Sequence, residues 1–359
     1  MKPIRKQKKN ESLSESVLLE RIRGTIRARE PILETGIGDD CAVLQLPGRK
    51  KPLLLTTDIL NEEIHFRREW TTPFLLGYKS LTVNQSDLAA MGGKPLVFVV
   101  NLSFTGDLSA SYIEELYRGM DLAARRFGGA LAGGDLSRSP KGLCLSIAVL
   151  GEPWGPRPIL RSGARPGDVV CVAGWLGLSA MGLRFLHQEG ARAESWERIL
   201  RSNRRATPST ANGWRNRCLL EHLAPEPMVS LSRWLGRQCP PTAMMDVSDG
   251  LSIDLARLCE ASGTGCRVEM DRLPGCPVHL VPPEEQQHAL LHGGEDYALL
   301  FTLPPKKARR ALAALRARSP VPVVAIGEMS AEAGRLSLVK DGKESELPVR
   351  GYDHFARPA

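Results

Sequence analysis

Residues 152–167 read EPWGPRPILRSGARPG, with four prolines and three glycines in sixteen positions. Proline lacks a backbone N–H and fixes φ, so neither a helix nor a central strand runs through such a segment. The chain is therefore read as two folding units, residues 13–152 and 153–359, preceded by a basic tail over 1–12. A length of 359 residues also exceeds what one hydrophobic core usually serves. On each side of the break, strand-like and helix-like patterns alternate. The first unit offers a helix over 13–29, strands over 41–46 and 52–59, and a helix from Thr72-Pro73 to about Met91. A strand over 95–104, a helix over 109–127 and a strand over 143–151 complete it. The second unit offers the strand DVVCVAG, a mostly helical stretch over 178–236 and the strand AMMDV. A helix over 250–262, with Gly263 as its closing residue, precedes the strands CRVEM and YALLFTL. A helix over 305–317 and the strand VPVVAIGEM follow. This alternation predicts an α/β (α+β) fold.

The net charge is +8. Five of the positive charges lie in the first ten residues, and eight arginines face three glutamates between Arg184 and Arg217. A loose tail and a solvated helical surface account for that better than a nucleic-acid site does. No run of about 18 apolar residues occurs, so no membrane span is expected. The polar NESLSES after the basic start argues against a secretory signal. Eight cysteines without C-x-x-C spacing read as reduced thiols of a cytoplasmic protein rather than as a zinc site.

The chemistry is carried by aspartates. Five stretches set aspartates among Gly, Ser or Thr at the apparent end of an element: GIGDD (Asp39, Asp40), TTD (Thr56, Thr57, Asp58), NQSDLAAMGG (Asp87), AGGD (Asp135) and DVSDG (Asp246, Asp249). Carboxylates and hydroxyls are hard oxygen ligands of the kind Mg²⁺ prefers, and glycine lets a backbone approach a ligand closely. Taken singly, each motif is an ordinary turn, and Asp249 could instead cap the helix that follows it. Asp87 differs, because it sits inside a helical pattern beside a face that reads as buried and so needs a partner. The nucleotide fingerprints G-x-x-x-x-G-K-[ST] and G-x-G-x-x-G are both absent, so a nucleotide would have to be held through metal rather than by a glycine cradle. No Ser-His-Asp arrangement emerges from the seven histidines.

In order, GIGDDCAVL, TTDILNEEIHF, VNQSDLAAMGGKP, AGGDLSRSP, LRSGARPGD, DVSDGLSIDLARL, HGGEDYALLFTL and the terminal GYDHF resemble the thiamine-monophosphate kinases of the aminoimidazole-ribonucleotide-synthetase-like superfamily. The resemblance spans about residues 17–355. It implies two α/β domains whose N-terminal sheets pair in a homodimer. It implies ATP-dependent phosphorylation of thiamine monophosphate, with several Mg²⁺ ions and ATP as co-substrate. By the resemblance, Asp40, Thr56, Thr57, Asp58, Asp87, Asp135, Asp246 and Asp249 hold metal. Gly134, Asp135, Arg161 and Ser248 contact ATP, and His65, Glu295 and Tyr352 contact the thiamine part.

No catalytic base is expected, since the attacking group is already an anionic phosphate oxygen. Asp39 and Asp40 are then expected to wait for magnesium rather than for an arginine. On the residues alone, His65 reads as a surface residue, Tyr352 as a tail anchor and Arg161 as a linker charge. Two positions depart from the family pattern: Met228 stands where a basic residue is common, and Ile64 where a polar residue usually precedes the histidine. Other superfamily members rank next. A selenophosphate synthetase would carry a reactive cysteine near its N-terminus, and a hydrogenase-maturation dehydratase would end in one; this chain does neither. A non-catalytic nucleotide- or nucleic-acid-binding protein would find its phosphates repelled by these aspartates.

Overall fold

The computed structural model describes residues 14–26, 28, 30–189, 193–201 and 208–355; the basic tail lies outside them, as do several arginines of the 184–217 stretch. The chain begins with α1 (Glu15–Thr25), β1 (Leu33–Thr35), β2 (Ala42–Leu44) and β3 (Leu53–Asn61). Next come α2 (Pro73–Ala90), β4 (Gly93–Phe104), α3 (Ala110–Phe127), β5 (Ala130–Arg138) and β6 (Cys144–Pro153). These strands form one sheet in the order β1-β2-β3-β6-β4-β5, antiparallel except for the β4–β5 pair.

The second half runs β7 (Val169–Ala173), α4 (Leu178–Glu189), α5 (Ala193–Arg201), α6 (Ala211–Leu223), α7 (Val229–Gln238) and β8 (Ala243–Val247). It continues with α8 (Leu251–Ser262), β9 (Gly265–Glu269), α9 (Pro283–His292), β10 (Ala298–Leu303), α10 (Pro305–Arg316), β11 (Val323–Ser330), β12 (Leu336–Lys340) and β13 (Lys343–Glu346). Its seven strands are ordered β13-β12-β9-β11-β7-β10-β8. The Pro/Gly-rich segment joins the two sheets, and Gly263 closes α8 in the left-handed conformation.

Helix α2 organises the molecule. Thr72 caps it, with its hydroxyl accepting from the Leu75 N–H, and Pro73 opens it. Sixteen of its eighteen residues are buried, all but Pro73 and Asp87. It packs on β3, β4 and β6, on α3, and on α6, α7, β8 and β10 of the second half. A helix surrounded by protein must satisfy its polar side chains internally. Ser80 donates to Gly77 O, Asn84 to Ser80 O and Gln85 to Gly128 O. The crossing with α3 is close enough to need glycine. A Cβ at Gly77 would stand 1.8 Å from Leu116 O, and one at Gly119 would stand 1.9 Å from Phe74 O.

The core does not respect the division of the chain. Leu75, Tyr78, Leu81 and Leu145 of the first half share one cluster with Leu178, Phe185, Trp214 and Leu219 of the second. Alternation along the buried strands fills the second sheet's two faces: Val170, Val172 and Met245 on one side, Cys171, Met244 and Phe301 on the other.

The first sheet is covered by α2 on one face only. On the other, Leu55, Ile59, Val97 and Val99 are exposed, and all nine residues of the edge strand β5 are exposed. The GGALAGGD segment, given no element by its sequence, is this strand. Its glycines lower strand propensity, but Gly134 lies so close to β4 that a Cβ would meet Val100 O at 1.9 Å.

The α2–α3 contact yields a first prediction. Gly119→Ala forces a methyl into backbone and costs about 3 kcal/mol or more. It should lower the thermal midpoint by at least about 5 °C, measured by circular dichroism; an unchanged midpoint would show that the helices can separate.

Candidate functional site

Three carboxylates from three distant parts of the chain converge. Asp40 comes from the turn before β2, Asp87 from the last turn of α2, and Asp246 from β8; they offer oxygens within 4.8 Å of one another. Asp246 is 1% exposed and Asp40 is 9% exposed. Each is held by a neighbour. Thr56 on β3 donates its hydroxyl to Asp87 at 2.5 Å, and Ser86 donates to Asp246 at 2.5 Å. Arg161, in the segment joining the sheets, donates from its guanidinium to Asp40 at 2.6 Å and from its backbone N–H to Asp39 at 3.2 Å.

The expectation that the Asp39–Asp40 pair waits for a cation rather than an arginine therefore needs correction: an arginine is already in place. It is not enough. Asp40 Oδ2 is buried without a hydrogen-bond partner, an orphan that a hard cation would satisfy.

The electrostatics point the same way. Burial, then Asp58, Asp246 and Asp40, push the Asp87 carboxyl well above the usual range. Burial and Asp40 do the same to Asp246. Asp58 is pushed up to about 6 by burial and Asp249, and Asp39 to about 6 by burial and Asp40. Burial works against the Arg161 charge, but Asp40 outweighs it and raises that pKa. Acidic groups crowded together in this way suit a divalent cation. An all-oxygen donor set of carboxylates and hydroxyls fits Mg²⁺.

Asp249 joins from the other side. Its carboxylate pairs with Arg257 at 2.5 Å. It does not cap α8; Asp254 does, accepting from the N–H groups of Ser248, Asp249 and Gly250 at 3.1 Å each. That frees Asp249 to face Asp58.

Not every residue named from the sequence is here. Thr57 alternates away from Thr56 and Asp58 onto the exposed face of the sheet, where its hydroxyl donates to Ile147 O. Gly134 and Asp135 lie on the exposed β5, with Asp135 in register with Asn101 of β4. No side-chain hydrogen bond or ion pair among the described residues joins them to the acidic cluster.

The residues assigned to thiamine form a second group beside the first. Glu295 follows the helical segment before β10, and its carboxylate is 2.8 Å from the buried Lys79 and 3.3 Å from His222. Burial alone would raise its pKa, but the Lys79 ammonium overcomes this and holds it below the usual range. His65 accepts from the Asn61 N–H at Nδ1, and its ring lies 5.1 Å from that of His354. Tyr352 stands 4.8 Å from His354 and donates its backbone N–H to Asp249 O at 3.1 Å. The C-terminal tail is thus tied to both groups. His354, Lys79, His222 and Arg257 were not singled out from the sequence; only His354, in GYDHF, and Arg257, in DVSDGLSIDLARL, lay inside a motif. Of the two departures, Ile64 is 58% exposed and Met228 packs against the Cys171, Met244 and Phe301 side of the second sheet.

The raised carboxyls set a pH dependence. An acid whose pKa is higher in the folded than in the unfolded chain adds stability below its unfolded value, and loses it as pH rises through the folded one. For Asp58 that window runs from 3.8 to about 6. Asp58→Asn should therefore stabilise the chelator-treated protein at about pH 7 by roughly 1–2 kcal/mol, a gain that fades near pH 4. Urea unfolding at the two pH values checks it; an equal gain at both would exclude a charge effect.

The sequence and the fold both match known proteins. The family model AIR synthase related protein, N-terminal domain, matches residues 38–152, and the corresponding C-terminal domain matches residues 165–339. Thiamine-monophosphate kinase of Salmonella typhimurium is 34% identical over 95% of this chain and 98% of its own. That of Bacillus subtilis is 31% identical over 90% of this chain and 94% of its own. The structure of AaThiL complexed with AMPPCP and TMP superposes with a TM-score of 0.77 at 29% identity, covering 97% of this chain and 99% of that one. A HypE–HypF complex, at 16% identity and a TM-score of 0.69, shares the fold alone. With two matching domain models, kinase relatives along nearly its whole length and an acidic cluster drawn from both halves, the chain belongs to the thiamine-monophosphate kinase family of AIR synthase related proteins.

Proposed function

We propose that this chain transfers the γ-phosphoryl group of ATP to the phosphate of thiamine monophosphate, giving thiamine diphosphate and ADP. The observation that carries the reading is the convergence of Asp40, Asp87 and Asp246, with a buried, unpartnered oxygen on Asp40. The acceptor phosphate is already a nucleophile, so no general base is required. The barrier is repulsion between two polyanions that must meet in line. Two unit charges ~4 Å apart repel by about 4 kcal/mol at an effective dielectric of ~20. Mg²⁺ held by these carboxylates would supply the positive charge that offsets this repulsion.

The chain's own residues have definite tasks in this reading. Asp40, Asp58, Asp87, Asp246 and Asp249, with the Thr56 hydroxyl, hold the ions. Arg161, at the cluster's edge against Asp40, would offer its permanent, forked charge to a phosphate of ATP. Ser248 contacts the nucleotide. His65, Glu295 and Tyr352 hold the thiamine end: Glu295 accepts from the aminopyrimidine, and the Tyr352 ring faces the cationic thiazolium.

Thr57, Gly134 and Asp135 take their parts across a homodimer. In support, their face of the first sheet carries exposed Leu55, Ile59, Val97 and Val99, a patch that a second copy would bury. The reading places the enzyme in the cytoplasm, in keeping with eight free thiols and with no helix among the described residues long and apolar enough to cross a membrane.

Incubation with ATP, Mg²⁺ and thiamine monophosphate should yield thiamine diphosphate, followed by chromatography, while thiamine itself stays unphosphorylated. Asp246→Asn should keep the fold and cut turnover by at least about 100-fold; near-normal activity would remove Asp246 from the metal site. Val99→Arg should shift the protein from dimer to monomer in analytical ultracentrifugation, and a parent chain that is already monomeric would end the dimer reading.

A further inference from the structure

Helix α2 buries a lysine. The Lys79 side chain is 4% exposed, on a helix whose neighbouring positions Leu75, Leu76 and Tyr78 belong to the hydrophobic core. A buried ammonium is costly unless an acid answers it, and the acid is Glu295 at 2.8 Å. A structural ion pair would serve equally well between two residues with relaxed backbones. Glu295 is not relaxed. It sits at φ 63°, and Tyr297 two residues on sits at φ 50°, left-handed conformations that non-glycine residues rarely adopt. The segment is pinned there by the Glu295 N–H donating to Ser248 O at 2.7 Å and the Tyr297 N–H donating to Val247 O at 2.8 Å. The backbone is strained and the carboxylate is gripped.

The grip has a second arm. His222, on α6 and 4% exposed, places Nδ1 3.3 Å from the other Glu295 oxygen and 3.0 Å from the Ser179 hydroxyl. Burial and Lys79 lower its pKa to about 3, so it is a neutral, orienting ring. Ser179 is itself fixed. The Asp296 carboxylate accepts from the N–H groups of Gly177 and Ser179 at 2.6 and 3.2 Å, which sets the start of α4. Lys79 and His222 also line a small cavity with His65, Phe66 and Trp70.

We propose that Lys79 and His222 are positioning residues that hold the Glu295 carboxylate in the one orientation that receives the substrate's aminopyrimidine. The inference rests on the reading of Glu295 as a substrate contact. The Lys79 ammonium meets one Glu295 oxygen and the His222 ring stands beside the other, while the carboxylate, 27% exposed, keeps lone pairs for the substrate's amino group. They set affinity for the thiamine end and leave ATP untouched.

A double-mutant cycle on the full-length chain, with ATP and Mg²⁺ present, separates the possibilities. Glu295→Gln should raise KM for thiamine monophosphate about tenfold or more, the loss of a charge-assisted hydrogen bond. Lys79→Met should raise it by a similar factor with KM for ATP unchanged, and the double variant should be no worse than Glu295→Gln alone. Should Lys79→Met fail to fold, His222→Gln enters the same cycle with the same expectation. If Glu295→Gln raises KM while both Lys79→Met and His222→Gln stay within about twofold of the parent, or if their effects multiply with that of Glu295→Gln, the positioning role is overturned and the substrate contact stands. If Glu295→Gln leaves KM unchanged, the substrate contact itself falls, and the positioning role with it.

Discussion

Carboxylates that repel one another inside a protein have to be held together by everything else. Asp40, Asp87 and Asp246 belong to a loop, a helix end and a strand, and their oxygens lie within 4.8 Å. No local preference would place them so. The arrangement survives because α2 is locked on all sides by two sheets and by α3, and because Thr56, Ser86 and Arg161 each hand a donor to one acid. The strain on these groups is the mirror image of affinity for a cation, since an ion recovers as binding energy what the fold spends on repulsion.

The two clusters on α2 divide the work of a phosphotransferase. The end of the helix contributes Ser86 and Asp87 to the acidic site, while two turns earlier Lys79 reaches the Glu295 site. One rigid element thus fixes the spacing between the charged end and the heterocyclic end of a substrate. The C-terminal tail ties the same two places together from outside, through Tyr352 and His354. Rigid placement of both ends is what in-line transfer between phosphates needs.

Much of the fold could be read from patterning. Strong periodic signals, such as α2, α3, β8 and β10, lie within a few residues of their expected bounds, because buried strands and amphipathic helices announce themselves. β5, α9, β12 and β13 did not. β5 is glycine-rich and pairs by close backbone approach, and β13 is wholly exposed and carries no apolar alternation. The first-rank acids were legible as types, since Asp beside Gly, Ser or Thr is a compositional signal. Their mutual distances were not, nor was the Arg161–Asp40 pair, because it joins residues 121 positions apart. Motif reading could not tell Thr57 from Thr56, its neighbour in sequence, which faces the other side of the sheet. Lys79 and His222 gave no signal at all. A single lysine in an apolar helix reads as noise until the acid that answers it is seen.

The shared hydrophobic cluster has a consequence for how the molecule comes apart. Leu178, Phe185 and Trp214, from after the Pro/Gly-rich joint, pack in one body with Leu75, Tyr78 and Leu145 from before it. Cutting the chain at its apparent boundary would divide this cluster between the fragments and strip the packing from one side of α2. Slow amide exchange should therefore spread across α2, α4 and α6 as one cooperative block, and heat should melt both sheets in a single step.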